Sequence, residues 1–361
     1  MADMLDQLLK QQNFSREDLI SLLSVKGDDT QKVLDRALEV KAATVGRKVY
    51  LRGLIELSNM CAKDCYYCGI RKSNKHVNRY TLTDEEVYQA ADFAWRKGFG
   101  SLVIQSGELT NKTFVNHIEH LLKGIHQRTN AELSITLSCG EQPYEVFKRW
   151  QEAGAHRYLL RIETTNKKLY YQIHPENALH AFEKRIKALE DLRKAGYQVG
   201  TGVMIGLPEQ TIADLADDLL FFKSLDIDMI GMGPYIEHAE TPLFEKFILL
   251  WPAAERFRMS LLMLASLRLL MPDINMASST ALETLDPLGR QSGLLAGANV
   301  VMPNLTPVIN RINYQLYNNK PNLDKDPALS TSSLNQVIEA IGEKICYYEP
   351  GNSQHFLKRK G

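Results

Sequence analysis

Residues 49–69 read VYLRGLIELSNMCAKDCYYCG, an apolar run that breaks into a loop carrying three cysteines. Residues 49–57 have the composition of a strand covered on both faces. Similar short runs follow at 101–105, 133–137, 158–162, 198–205, 228–232, 274–277 and 299–302. Between them lie longer amphipathic stretches, at 84–97, 144–153, 182–195 and 212–224, several closed by Gly98, Gly154 or Gly196. Eight strand candidates alternating with helical patterns predict an α/β fold, a (β/α)8 TIM-type barrel. An open or seven-stranded sheet is the alternative, because the last two runs are weak. On such a barrel, chemistry belongs on the loops that follow the strands.

The flanks fit around that core. The first 45 residues read as helical, with Ser15-Arg-Glu-Asp18 as a capping-box-like start before Leu19, Ile20, Leu22 and Leu23. The expected organisation is a helical segment at 1–46, the barrel at 47–318 and a C-terminal cap segment at 319–361. A chain of 361 residues with 44% hydrophobic content can bury one large barrel core. Its 43 Lys and Arg balance 43 Asp and Glu, which removes the electrostatic case for nucleic acid. No apolar stretch is long enough to span a bilayer and residues 1–10 lack a signal-peptide core, so the expected setting is cytoplasmic, without membrane contact.

Cys61, Cys65 and Cys68 put three thiols within eight residues, and soft thiolates suit iron–sulfur clusters or zinc. A structural zinc site wants four ligands, normally as two pairs, and no second C-x-x-C follows nearby. A [4Fe–4S] cluster on three cysteines leaves one iron open to a small molecule. Zinc completed by a distant His76, Cys139 or Cys346 is the alternative, and would make the chain a binding or scaffold protein.

Polar groups follow the later strands. The second run ends in Gln105-Ser106-Gly107-Glu108, where glycine permits close backbone approach and the carboxylate can accept from an ammonium. The third ends in Ser138-Cys-Gly-Glu141. In the fourth, alternation along a strand would put Arg161 and Glu163 on one side, and inward placement suits a run covered on both faces. The fifth ends in a glycine- and proline-containing loop, Gly206-Leu-Pro208. Ser278-Ser-Thr280 after the seventh run offers hydroxyls for an anion, or merely a helix cap.

The C-x3-C-x2-C spacing with Tyr67 before the last cysteine, together with VIQSGE, RYLLRIETTN, GVMIGLPEQTIADL, DMIGMGPYIEHAETPL and GANVVMPNLTP, resembles the radical S-adenosylmethionine (SAM) superfamily. Within it the chain is most similar to the biotin-synthase-like branch, and there to [FeFe]-hydrogenase maturases of the HydE type. That resemblance implies a barrel holding one [4Fe–4S] cluster on Cys61, Cys65 and Cys68. It implies S-adenosyl-L-methionine bound by Ser106, Glu108, Ser138, Glu163, Arg185 and Tyr67, and reductive cleavage to a 5′-deoxyadenosyl radical. Arg161, Ser279 and Thr280 would hold an anionic group of a small cysteine-derived organometallic substrate, in maturation of the hydrogenase H-cluster. Expected partners are an electron donor such as ferredoxin or flavodoxin, and other hydrogenase maturases. A methylornithine-synthase-like mutase is the alternative within the branch.

Two departures stand out. Some relatives carry histidine where this chain has Ile162, and some carry C-terminal cysteines for a second cluster. After Asn304 only Cys346 remains, so no accessory cluster is expected.

Overall fold

The computed structural model describes residues 2–324 and 327–360. Eight parallel strands pair in chain order: β1 (Lys48–Ser58), β2 (Ser101–Ser106), β3 (Ser134–Ser138), β4 (Ala155–Leu159), β5 (Gln198–Thr201), β6 (Met229–Ile230), β7 (Asn275–Met276) and β8 (Val300–Val301). The two weak runs are the ones that close the ring. β8 lies beside β1 with Tyr50 opposite Val300, and on its other side Asn299 N–H donates to Met276 O and Ser278 N–H to Val300 O, both at 2.9 Å. The barrel is therefore complete, and the open-sheet alternative is set aside.

The expected helices form almost where the periodicity puts them, at Asp84–Arg96, Tyr144–Glu152, Phe182–Lys194 and Ile212–Ser224. Gly98 and Gly154 follow two of these helices with φ of +76° and +108°, a region glycine enters without a Cβ clash. Leu102, Ile104, Ile135 and Leu137 from the strands share one core with Leu121, Leu122, Leu189 and Leu192 from the helices. The Ser15–Asp18 capping box forms with both reciprocal bonds, at the head of Arg16–Ser24.

Three strand expectations need correction. The fourth strand is Ala155–Leu159 rather than 158–162, so Arg161 and Glu163 sit beyond its end and strand alternation does not place them. The regular ladder is interrupted where Ile162 N–H donates to the Thr201 hydroxyl (3.1 Å) instead of a neighbouring backbone carbonyl, and pairing resumes one residue on, with Glu163 N–H donating to Gly202 O (3.0 Å). The fifth and sixth runs each break at a glycine. Gly202 and Gly231 approach so closely that a Cβ on Gly202 would stand 2.0 Å from Gly231 O. Beyond them the chain re-forms a separate small ladder, Met204–Ile205 against Gly233–Pro234.

The C-terminal segment caps the end of the barrel where the strands begin. β9 (Lys344–Ile345) pairs with the start of β1, and Gly351 O accepts from Arg52 (3.3 Å) and Asn275 (2.8 Å) across that opening. The opposite, strand-end face carries the cysteine loop. Among the described residues no helix is long and apolar enough to cross a membrane.

Candidate active site

Side-chain bonds to the backbone, rather than secondary structure, hold the loop after β1. Asn59 is fully buried and donates to Asn78 O (2.8 Å) and Asn313 O (2.7 Å) while accepting from Tyr80 N–H (2.8 Å). Arg79 spreads its guanidinium over four carbonyls, those of Asn59, Ile70, Arg71 and Asn74. So framed, Cys61, Cys65 and Cys68 are half-buried and line one cavity. Burial pushes all three thiols up, Cys68 to about 12, so binding of a metal must displace their protons. Glu108 N–H, 3.4 Å from Cys61 Sγ, acts in the other direction by favouring the thiolate.

The distant candidates for completing a zinc site lie elsewhere. His76 pairs with Glu240 on the surface (2.7 Å), and Cys139 is buried with its thiol toward Ile104 O (3.7 Å). Cys346 pairs with Val49 near the start of β1, at the opposite end of the barrel. Among the described residues no three His, Cys, Asp or Glu side chains converge on one metal ion. Three separate thiols suit the corners of a polynuclear cluster better than the vertices around one ion.

Beside the cysteines, β2 and β3 each end in a Gly-Glu pair, and the two strands run in register with Gln105 opposite Ser138. A Cβ on Gly107 would meet Met60 O at 2.3 Å, and one on Gly140 would meet Glu108 Cγ at 2.2 Å. Glycine is therefore what lets the second strand's loop touch the cysteine loop and the third strand's loop touch the second. Between the two carboxylates sits Lys63, from inside the cysteine loop, 3.2 Å from Glu108 and 3.0 Å from Glu141. Arg185 pairs with Glu141 from the other side and donates to Arg161 O. All four charges are buried, and two cations balance two anions. Burial raises Glu108, and its neighbour Glu141 adds to the rise. Burial also raises Glu141, but Arg185 and Lys63 outweigh it and hold that carboxylate below its ordinary range.

Glu163 sits where the fourth strand has ended, at φ +69°, an uncommon conformation for a non-glycine residue. Burial raises its carboxyl, opposed by Arg161, Arg185 and a hydrogen bond with Tyr67. Behind it, the Tyr67 hydroxyl lies 3.4 Å from His174 Nε2, and His174 Nδ1 is 2.9 Å from Tyr170 O. Burial, reinforced by Arg185, keeps that histidine neutral.

Arg161 enters the cavity, where a nearby carboxylate already faces its charge. Arg161 Nη2 stands 2.9 Å from Glu163 Oε2 and donates to Val203 O (2.9 Å). Ser279 heads the helix Thr280–Leu285 without capping it through its side chain, so the helix-cap reading fails for this hydroxyl. The Thr280 hydroxyl meets Tyr317 Oη at 3.0 Å. Among the described residues Arg161 Nε, Glu163 Oε2 and Ser279 Oγ are buried without a hydrogen-bond partner, which is costly unless a polar ligand supplies one.

All twelve residues singled out from the sequence line this one cavity of about 330 Å³, Ser106 and Ser138 included. That volume falls at the lower end of small-molecule sites. Lys63, Glu141, His174 and Tyr317 were missed. Glu141 had a signal, since it repeats after β3 the Gly-Glu that ends β2; Tyr317 closes the stretch YQLY (314–317), which belongs to the family resemblance, and His174 had none.

The Radical SAM superfamily model matches residues 55–222. The chain is 40% identical over 337 residues to the [FeFe] hydrogenase maturase subunit HydE of Thermotoga maritima, covering 93% of each. It is 28% identical to a biotin synthase of Macrococcus caseolyticus over 63% of this chain and 68% of that one. Among solved structures, methylornithine synthase (PylB) superposes with a TM-score of 0.78 at 23% identity, over 95% of this chain and 97% of the other. The maturase HydG from Carboxydothermus hydrogenoformans does so with 0.80 at 17% identity, over 96% and 80%. These two share the fold. The extent of the HydE match, on a barrel whose three thiols open into a buried polar cavity, places this chain in the HydE family of radical SAM enzymes, which work with a [4Fe–4S] cluster and S-adenosyl-L-methionine.

Proposed function

We propose that Cys61, Cys65 and Cys68 hold the cluster, and that the cavity beside them takes SAM at one end and a small anionic substrate at the other. The observation that carries this reading is the single cavity lined by the three thiols, by Lys63, Glu108 and Arg185 of the network that Glu141 holds from behind, and by the Arg161–Glu163 pair. When bound, cluster and SAM together supply a 5′-deoxyadenosyl radical.

The chain's own residues bind, orient and exclude water. Glu108 accepts from the SAM ammonium in place of Lys63, and Arg185 turns to its carboxylate. Glu163, already raised and short of a donor at Oε2, accepts from the ribose hydroxyls. Tyr67, fixed by His174, borders the same space, with Ser106 and Ser138 beside it. Arg161 Nε and the Ser279 hydroxyl, with Thr280, are the donors left for a substrate carboxylate.

The substrate is a cysteine-derived organometallic fragment, processed toward the hydrogenase diiron centre. The electron comes from a ferredoxin or flavodoxin, and other maturases take up the product. The deciding experiment is complementation of hydrogenase activity in a strain lacking its own HydE. Restored activity with the intact chain and none with Cys65→Ala supports the reading. Failure by a well-expressed, cluster-loaded protein that cleaves SAM would exclude this maturation role.

A further inference from the structure

We infer that the rim beside the cysteine loop is the docking face for a small acidic one-electron carrier protein. It would be centred on Met60, Val308, Ile309 and Ile312 and framed by Lys72, Lys75 and Lys112. The inference rests on the reading of the cysteines as cluster ligands and adds to it the place where the electron enters.

The apolar part is unusual for a surface. Ile309 is 78% exposed and Ile312 60%, with Val308 beside them, and no other five-residue window of the described chain leaves three large hydrophobic side chains in water. Exposed apolar patches of this kind mark interaction sites. This one adjoins the cysteines. Asn59 donates to Asn313 O (2.7 Å) and Gly69 N–H to Leu316 O (2.9 Å), so the segment after β8 is tied to both ends of the cysteine loop. Met60, also exposed, directly precedes Cys61.

The charge around it is mainly positive: the acidic groups at its edge, Asp64 and Glu240, are paired with Arg71 (3.0 Å) and His76 (2.7 Å). Four segments meet here, 59–63, 69–80, 109–113 and 305–322, and none contains an aspartate or glutamate. Arg79 and Asn59 join the first two, and Ala62 N–H donates to Glu108 O (2.8 Å) next to the third. Lys72, Lys75 and Lys112 stand exposed on them. An apolar centre with a basic rim fits an acidic partner. A second copy of this chain would set lysines against lysines across a two-fold axis, which argues against self-association. The carrier gives up one electron and leaves oxidised by one. That electron breaks a carbon–sulfur bond of the SAM sulfonium, giving methionine and the 5′-deoxyadenosyl radical.

The test uses holoenzyme and two reductants. Dithionite is small and needs no docking face, whereas reduced flavodoxin does. Binding of oxidised flavodoxin to holoenzyme, by flavin fluorescence anisotropy, gives a readout apart from turnover. For Ile309→Glu/Ile312→Glu and for Lys72→Glu/Lys75→Glu/Lys112→Glu, flavodoxin affinity should fall by about tenfold or more. Dithionite-driven SAM cleavage should stay within about twofold, because neither set touches the cavity. Unchanged flavodoxin affinity in both variants would overturn the docking face. So would a wild-type dimer that Ile309→Glu/Ile312→Glu splits while flavodoxin-driven rates persist. Absence of dithionite-driven cleavage in the wild type would instead refute the reading of the cysteines, and the anisotropy titration would still judge the face.

Discussion

Replacing Lys63 by Met tests the buried charge network most directly. Lys63 is 3% exposed and stands between two carboxylates, 3.2 Å from Glu108 and 3.0 Å from Glu141. Methionine keeps much of the stem and removes the charge, with the bond to Leu179 O, leaving Glu141 to Arg185 and the half-exposed Lys184 (3.5 Å) and Glu108 without its cation. Breaking a buried pair by removing one partner costs about 3–5 kcal/mol, since the remaining charge stays out of water. Taking about 2.1 cal/mol/K per residue for the unfolding entropy, a chain of 361 residues should lose roughly 4–7 °C in Tm. The SAM ammonium would return a positive charge to the same place, so saturating SAM should stabilise Lys63→Met more than wild type. Calorimetry of cluster-loaded protein with and without SAM reads both effects. A Lys63→Met variant melting within about 1 °C of wild type, with an equal shift on adding SAM, would refute the claim that this lysine neutralises the ammonium site.

Three other outcomes follow. Cys61→Ala, Cys65→Ala and Cys68→Ala should each lose the four-iron cluster and SAM cleavage, by iron and sulfide analysis and product assay, whereas Cys139→Ala and Cys346→Ala should keep both. Glu163→Gln should weaken SAM binding by about ten- to a hundredfold in equilibrium titration, from loss of charge-assisted hydrogen bonds; Arg161→Ala should mainly raise KM for a carboxylate-bearing substrate, and equal loss of SAM affinity in both would contradict the division. Burial raises the Asp218 carboxyl from 3.8 to about 7 against two bonds from Thr165, so the stability it contributes is complete below about pH 4 and lost as pH rises through 7, about 4 kcal/mol in all. Asp218→Asn should therefore melt progressively higher than wild type between pH 5 and pH 8, and a constant difference in Tm across that range would show that the carboxyl is not displaced.

Much of this architecture was legible because it rests on local rules. The Ser15–Asp18 box needs four residues, and Gly98 and Gly154 need only a helix end. The cysteine spacing needs eight residues. Placement of the fourth strand failed because its end is decided at long range, where Thr201, 39 residues on, takes the Ile162 N–H that would have kept the ladder regular. The weak seventh and eighth runs still close the ring, since two paired residues suffice when flanking loops add the remaining bonds. Lys63 was hidden for a related reason. Between cysteines a lysine reads as a solvated loop residue, and only the convergence of β2 and β3 surrounds it with carboxylates. The Arg161–Glu163 pair was visible in sequence, but its internal pairing depends on the strand ending before it.

The two ends of the cavity solve one electrostatic problem differently. At the cysteine end, Lys63 and Arg185 stand against Glu108 and Glu141, with the half-exposed Lys184 3.5 Å from Glu141, so each buried charge has a partner. The amino-acid head of SAM is itself a zwitterion. On binding, its ammonium can replace Lys63 at Glu108 and its carboxylate can share Arg185, which exchanges partners without leaving an uncompensated charge in the low-dielectric interior. At the other end the charges of Arg161 and Glu163 also pair, at 2.9 Å, but hydrogen-bonding atoms are left over. Arg161 keeps Nε without a partner and Glu163 keeps Oε2 short of a hydrogen bond, with the Ser279 hydroxyl also unsatisfied. Those atoms are complete only when ligands supply both a donor, as a ribose hydroxyl does, and an acceptor, as a carboxylate does. A cavity arranged this way favours simultaneous occupancy by SAM and an anionic substrate, because each satisfies a buried atom that the other cannot.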